Sequence, residues 1–473
     1  VALVRPATTP AGELAESVPP SANKLLRELG LLDAVQAAGF QANLGNTVWW
    51  AEGPRRSEPF PGREHGVHVE RRRLEDVLVR AAEAAGVRVY EGFSAREARE
   101  GAEGWTVSCR GADGHALELS APWLLDATGR RGFLARRFGR EPDRGPATLA
   151  LIGRFRRRGG WTAEDGHTLI ESWEEGWAWS VPLDAEVRCF AAMVDKERTN
   201  DAQRDLRAAM LAALARAPHI GAMVATGEPA GRAWACSASL YSARRYAGGG
   251  VLLVGDAGSF IDPLSSFGVK KALSSGWLAG VAVHTALVDP PLADVALAFF
   301  DRREREVSLA YRRSSVAFFE EAAAVYGRDY WQRRADAART AGGTAQERAA
   351  ADPDELGPAA VPEAEVRRAF EDIRRSARLE ARPGSTVRTL RAAAIDGHRI
   401  VLQEQLASDA YPQGMRFARG VDLRRLLEEA PRHDEVPELW SSYNRAATPV
   451  SLPDFLTALS IAYAAGFLEQ REG

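Results

Sequence analysis

Apolar residues recur along this chain with two periods, and the points where one gives way to the other mark its elements. Val251 to Val254 is a run of four apolar residues that stops at Gly255, and a helix-period pattern resumes after Gly268 with Val269, Ala272, Leu273 and Leu278. A strand therefore feeds a loop and then a helix. Val1 to Val4 and Trp123 to Asp126 read as further buried strands, the second running into Ala127-Thr128-Gly129. His68 to Glu70 ends a strand, and an amphipathic helix follows through Ala85. Alternation of this kind specifies an α/β fold with a Rossmann-like sheet.

From Thr148 to Val194 the period changes to two. Leu149 to Phe155, His167 to Ser172, Trp177 to Val181 and Val187 to Val194 predict an antiparallel sheet that interrupts the Rossmann-like part. Gly45 to Trp50 predicts a strand whose adjacent indoles, Trp49 and Trp50, point to opposite faces. Val87 to Tyr90, Trp105 to Ser108 and Leu117 to Leu119 predict a small meander. Helices are expected with apolar positions Leu25, Leu26, Leu29 and Leu32, from Asn200 to Ala215, and through the arginine-rich Phe299 to Arg334. Thr340 to Val361, rich in Ala, Gly, Pro and acid, reads as a linker. Beyond it a mainly helical region is expected, with helices at Leu390 to Gln403, Val421 to Glu429 and Leu452 to Ala465, the last started at Ser451, and a terminal strand at Phe467 to Glu469. The expected organisation is a first Rossmann-like part over 1–145, an antiparallel-sheet domain over 146–235, a second Rossmann-like part with long helices over 236–340, and a linker with a C-terminal module over 341–473.

Composition narrows the function. A chain of 473 residues exceeds one comfortable core. A net charge of −3 gives no field for nucleic acid or an anionic membrane. Only four of the 61 basic residues are lysine: Lys24, Lys196, Lys270 and Lys271. Cys109, Cys189 and Cys236 are widely spaced, without a Cys-x-x-Cys pair or a histidine cluster, so neither a disulfide framework nor a metal site is expected. No apolar run reaches membrane-spanning length, no signal peptide opens the chain, and the cytoplasm is the default compartment.

Candidate chemistry concentrates after Val254. Asp256 sits at a strand's carboxyl end, where open α/β sheets bind ligands, and its carboxylate can accept a hydrogen bond from a sugar hydroxyl. Ser265-Ser266-Phe267-Gly268 then opens a helix whose free amides favour a negatively charged oxygen. A ribityl chain and an electron-rich flavin ring ask for this pair of features. A Rossmann unit also needs an earlier strand and a Gly-x-Gly-x-x-Gly turn for the pyrophosphate, and about 30 further residues are expected ahead of Val1 on this reading. The strand Val1 to Val4 ends in Arg5, where that fold usually has an acid for the ribose.

Gly255-Asp256-Ala257, Asp262-Pro263 and Gly268 resemble the FAD-dependent monooxygenases of the p-hydroxybenzoate hydroxylase fold, and within them the flavin-dependent halogenase branch. The resemblance implies that Gly255 and Asp256 contact the ribityl part of FAD and that Asp262, Pro263, Gly268 and Val269 lie along the isoalloxazine. Glu16-Ser17 is similar to a halogenase segment beside the flavin, although Ser21 reads equally well as a helix N-cap and Glu16 as a solvated charge. Arg71 matches an arginine that reaches the FAD phosphates or adenine side, and Ala127-Thr128-Gly129 a segment that closes over the cofactor. Trp177-Ala178-Trp179-Ser180-Val181-Pro182 satisfies the halogenase signature Trp-x-Trp-x-x-Pro, which implies that Trp177 and Trp179 suppress ordinary hydroxylation. Ser265 stands where tryptophan-specific halogenases place a catalytic glutamate. Trp49, Trp50, Pro182 and Phe267 are candidates for a substrate pocket.

Halogenases also use a lysine between the Glu-Ser segment and the arginine helix. The only lysine in that interval is Lys24, close behind Glu16-Ser17, and arginine cannot replace a primary amine of tunable basicity. The leading expectation is therefore an FAD-dependent oxidoreductase, a monooxygenase that uses reduced flavin and oxygen on an aromatic or other apolar metabolite, free or carrier-tethered, with electrons from a separate flavin reductase. Halogenation is the alternative. Dehydrogenation or reduction of the geranylgeranyl reductase type and a non-catalytic flavin-fold binding protein are further ones.

Overall fold

The computed structural model describes residues 1–7, 14–62, 64–142, 145–161, 166–197, 205–327, 329–340, 361–376, 378–446 and 448–470. The expected linker and the start of the helix expected at Asn200 lie largely outside these residues. The chain divides into two units, Val1–Gly280 with Phe300–Thr344, and Val281–Phe299 with Ala345–Gly473.

In the first unit the fully buried strand Val251–Leu253 pairs in parallel with Leu124–Asp126. The opening strand Ala2–Arg5 pairs in parallel with Arg88–Glu91, and Arg5 lies between Asp76 at 3.6 Å and Glu91 at 3.8 Å. Val87 to Tyr90 therefore does not belong to the meander. That sheet consists of Phe93–Gly101, Gly104–Gly111 and Ala116–Ala121. The strand Phe93–Gly101 was illegible because four of its nine residues are charged and only Ala98 is buried, which leaves no apolar alternation to read.

Ala15–Val18 forms a strand antiparallel to Gly66–Glu70, with Gln41–Asn43 on the other side. Ser21 caps no helix, contrary to one expectation. Proline at position 20 presets a helical turn, Pro20–Ala22, which runs straight into the helix Asn23–Glu28, so Ser21 is already inside helical backbone. Its hydroxyl accepts instead from Lys270 Nζ at 3.1 Å.

The large sheet orders its strands Glu228–Pro229, Thr148–Arg156, Val187–Asp195, Gly176–Pro182, His167–Trp173, Gly45–Trp49 and Arg56–Pro59, with Trp234–Ser237 also on Thr148–Arg156. Only His167–Trp173 and Gly45–Trp49 run parallel. Its period-two pattern separates two cores. Phe155, Leu169, Trp173, Ala178 and Phe190 face the helices Leu206–Leu214 and Pro218–Ala225 through Met210, Leu214, Ile220 and Val224. Trp50, Ile152, Ile170, Trp177, Val181, Ala191 and Met193 face the other way, onto Phe319 of the helix Ala293–Tyr326 and Tyr330 and Trp331 of the helix Asp329–Thr340.

The second unit has its own core, centred on Leu426, Leu439, Tyr443, Phe455, Leu459 and Phe467. The helices Glu363–Arg375, Leu423–Glu429, Val436–Ala446 and Leu452–Ala464 build most of it, and Leu468–Gln470 pairs with Ala381–Pro383. Ser451 caps its helix by accepting from Asp454 N at 3.2 Å. The expected helix from Leu390 to Gln403 is instead a β-hairpin, Arg388–Asp396 with Arg399–Ala407. Alanine and leucine gave the segment helical propensity, but Gly397 takes φ +56° at the first position of the two-residue turn Gly397-His398, where a tight hairpin favours glycine. No helix among the described residues is long and apolar enough to cross a membrane.

Candidate functional site

Two turns leave the parallel strands side by side. Asp126, buried at the end of its strand, accepts at Oδ1 from Thr128 N at 3.1 Å and Thr128 Oγ1 at 2.6 Å, and at Oδ2 from Leu134 N at 2.6 Å. Three donors satisfy that carboxylate and lock the Ala127-Thr128-Gly129 turn. Gly129 takes φ +62°, and a Cβ there would meet nothing within 4 Å, so the turn presents bare backbone to open space. Ala127 and Thr128 are exposed directly after a buried strand residue.

The second turn, Gly255–Ala257, hangs from the helix Gly268–Val288. Gly255 N donates to Ser275 Oγ at 2.9 Å, and buried Lys271 donates to Gly255 O at 3.1 Å and Ser259 O at 2.6 Å. Gly255 needs φ +60°, and an added Cβ would press on Ala272 at 3.2 Å. The half-exposed Asp256 carboxylate has Lys271 Nζ at 3.7 Å, and its carbonyl accepts from Tyr241 Oη at 2.7 Å. Arg130 lies 4.0 Å over the Phe260 ring, which stacks on Tyr241 at 6.0 Å, and Arg140 lies 4.5 Å from the far ring. This ladder of cations and rings ties the two turns together.

Asp262 accepts from Leu264 N at 2.9 Å and so caps the short turn Pro263–Ser265, its buried carboxyl raised in pKa by desolvation. Ser265 Oγ donates to Asp262 O at 2.9 Å, so its proton serves the turn. Ser266 takes φ +55°, a left-handed backbone that reverses the chain before Gly268 begins the helix. A Cβ at Gly268 would meet nothing within 4 Å, leaving the first turn, with Val269 buried beneath it, open at its edge. Phe267 leans on Tyr311 at 5.6 Å, with Lys270 Nζ 5.2 Å from its ring.

Glu16 and Arg71 pair at 2.9 Å. Burial pushes the Glu16 carboxyl up, Arg71 pulls it back, and Asp256 and Glu75 push it further, so Glu16 and Asp256 share one electrostatic neighbourhood. Ser17 Oγ accepts from Asn43 Nδ2 at 2.8 Å and Thr168 Oγ1 at 3.0 Å, which fixes the Glu-Ser strand to the large sheet. Beside it His68 is buried, and desolvation, with Arg188 nearby, holds its pKa down to about 3.

One apolar cluster joins the distant motifs. Ala15 next to Glu16, Leu264 next to Pro263, and Trp50, Trp177 and Trp331 belong to it, and Trp179, Phe260 and Cys236 pack against it. Trp177 and Trp179 share a sheet face, while the register turns Pro182 to the opposite one. Trp50 is a fully buried core residue whose indole donates to Phe318 O at 3.0 Å, and Trp49, on the other face, stacks on His219 at 4.5 Å. Sequence reasoning missed Asp126, Arg130, Tyr241 and the role of Lys271. The Asp-x-Thr spacing of Asp126 and Thr128 is an Asx-turn signal that would have found the first.

Bare turns at Gly129 and Gly268, a carboxylate at Asp256 whose nearest cation is 3.7 Å away, and the Glu16–Arg71 pair are compatible with a bound flavin. Among the described residues no group of three or more His, Cys, Asp and Glu could hold a metal ion.

Fold and site thus define a flavoprotein of the p-hydroxybenzoate hydroxylase type. Residues 54–341 match the family model described as tryptophan halogenase, and the chain belongs to that family. The tryptophan 2-halogenase of Chondromyces crocatus is 28% identical over 344 residues, 68% of this chain and 63% of that protein. The chain spans about three fifths of the length of the curated relatives it matches. Among solved structures, the flavin-dependent halogenase CmlS aligns with 99% of this chain and 91% of its own at TM-score 0.77 and 19% identity. The myxobacterial chondrochloren halogenase CndH, an FAD-dependent halogenase, aligns with 71% of this chain and 80% of its own at TM-score 0.65 and 27% identity. FAD is therefore the cofactor of this family. The comparisons favour halogenation, the alternative in the sequence reading, over oxygenation, which the missing lysine had placed first.

Proposed function

We propose that the protein is a flavin-dependent halogenase acting on an electron-rich aromatic substrate. The observation that carries this reading is the shared cluster in which Trp177 and Trp179 meet Leu264 of the Asp-Pro loop and Ala15 of the Glu-Ser strand. Reduced FAD, when bound, reacts with dioxygen and supplies the oxidising equivalents that turn a halide into an electrophile. The chain's own residues do the rest. Asp256 would accept a hydrogen bond from a ribityl hydroxyl, Gly255, Thr128 and Gly129 would let backbone approach closely, Glu16 and Ser17 would lie beside the ring, and Arg71 would reach the phosphates or the adenine side. The amides at Gly268 and Val269, in the first turn of a helix of 21 residues, would face the electron-rich edge of the ring. Asp262, Pro263 and Ser265 shape that loop, and Phe267 borders it. The two indoles exclude water between oxidant and substrate.

A relative from Pseudomonas fluorescens, 23% identical, is a 1H-pyrrole-2-carbonyl-[peptidyl-carrier protein] chlorinase. It supports a carrier-tethered substrate as one form of the proposal. A separate reductase supplying reduced flavin and a cytoplasmic site of action complete it.

Oxygenation is the second reading, favoured by the lysines. Lys24 is exposed on its helix, Lys271 is spent on Gly255 O and Ser259 O, and Lys270 donates to Ser21. The test is incubation with reduced FAD, oxygen, chloride or bromide and a pool of indoles, phenols and pyrroles, free and carrier-loaded, followed by mass spectrometry. A product with the halogen isotope doublet is expected. Products bearing only an added oxygen, at saturating halide, would overturn halogenation in favour of oxygenation.

A further inference from the structure

Beneath the Gly255–Ala257 turn lies a polar cluster that the proposed reaction does not use. Glu304, on the helix Ala293–Tyr326, is 3% exposed, and its Oε2 has no hydrogen-bond partner. Tyr246 Oη, turned toward Ser259 and Ser308, and Ser259 Oγ complete no hydrogen bond either, and both residues are fully buried. Lys271 and Ser275, on the helix Gly268–Val288, face the Glu304 carboxyl and stabilise its charge, as does Arg303 on its own helix. Arg312, a further cation of that helix, acts on Tyr246, and Asp301 accepts from Tyr246 N at 2.5 Å. Three buried polar atoms without partners, supplied by three separate segments, are costly in a plain structural core.

Lys271 and Ser275 are also the side chains that hold Gly255 within the turn, through Gly255 O and Gly255 N. Lys271 acts electrostatically on Glu304 and lies 3.7 Å from the Asp256 carboxylate. We propose that Glu304 is a positioning residue for the cofactor turn, which when ionised draws Lys271 and Ser275 beneath Gly255 and when protonated releases Lys271 toward Asp256. In the second state the ammonium occupies the carboxylate that a ribityl hydroxyl would use. Burial pushes the Glu304 carboxyl from 4.5 up to about 7, so both states are reached under ordinary conditions. Flavin binding and proton release from Glu304 are then linked. This inference rests on the assignment of FAD to the Asp256 turn.

The test measures FAD affinity by flavin fluorescence from mildly acidic to mildly alkaline buffer, for the wild type, Glu304→Gln and Glu304→Asp. The wild type should bind about fivefold more tightly on the alkaline side, with an inflection near neutrality. Glu304→Gln should be flat at the weaker value, and Glu304→Asp should restore a pH dependence. Infrared titration of the cofactor-free protein gives a second readout, a buried carboxylic-acid carbonyl band that disappears as the pH rises through neutrality. A pH dependence that persists in Glu304→Gln, or a wild type without that band, would overturn the inference while leaving the cofactor assignment intact. Absence of FAD binding in all three proteins at every pH would instead remove the assignment, and the inference with it.

Discussion

His68 offers a prediction whose size follows from its surroundings. Its ring is 1% exposed, Nε2 lies 3.3 Å from Gly166 O, Nδ1 has no partner, and the Arg188 guanidinium adds like charge against protonation. Its pKa falls from 6.5 to about 3, so the folded protein keeps the imidazole neutral where the unfolded chain would protonate it. A depressed base of this kind gives stability that is fully present above pH 6.5 and is lost as the pH falls toward 3. At about pH 5 the unfolded chain has gained roughly 1.5 units of protonation free energy, about 2 kcal/mol at 1.4 kcal/mol per unit. The perturbation is His68→Leu, of similar volume and without a proton site. Urea unfolding followed by tryptophan fluorescence, at about pH 7.5 and about pH 5, gives four free energies. The wild type should lose about 2 kcal/mol more than the variant on acidification, whatever the variant's stability at the higher pH. Parallel losses in both proteins would refute the claim that His68 is buried and neutral, and with it the tight seam between the Glu-Ser strand and the large sheet.

Three further outcomes are expected. Asp256→Asn should weaken FAD binding about 10- to 100-fold, read by flavin fluorescence, because a charged acceptor becomes a neutral one beside Lys271. Trp331→Ala should cost about 3 to 5 kcal/mol in urea unfolding, since the indole is fully buried, donates to Trp173 O at 2.9 Å and meets Trp50 at 5.2 Å. Glu304, an acid with a raised pKa, contributes stability that is present below pH 4.5 and lost as the pH rises through about 7. The stability of Glu304→Gln relative to wild type should therefore increase by about 3 kcal/mol between about pH 4.5 and 7.5 in the same assay.

The parts of this protein that could be read from its sequence are those where a single local rule decides. Val251 to Gly255 and Gly268 to Leu278 announce strand, turn and helix because apolar period and glycine agree there. The large sheet was legible because Trp177, Trp179 and Val181 alternate with smaller residues as a two-faced strand requires. Legibility failed where the deciding partner is remote. The strand Phe93–Gly101 carries charges on both faces because only Ala98 is buried in its sheet. The hairpin at Gly397 was hidden by alanine and leucine, whose propensity yielded to strand pairing. Lys270 and Lys271 seemed distant from the Glu-Ser segment along the chain, yet Lys270 touches Ser21 across 249 positions. Ser21 itself looked like a cap because spacing cannot show that a proline-led turn has already begun the helix.

The apolar cluster that gathers Ala15, Leu264, Trp50, Trp177 and Trp331 has an engineering consequence. On the proposed reading, remodelling beside Trp177 and Trp179 alters side chains packed into the same cluster as Leu264 of the Asp-Pro loop. Substrate breadth and retention of the yellow pigment are then expected to trade against each other, and retargeted variants should be screened for bleaching before turnover.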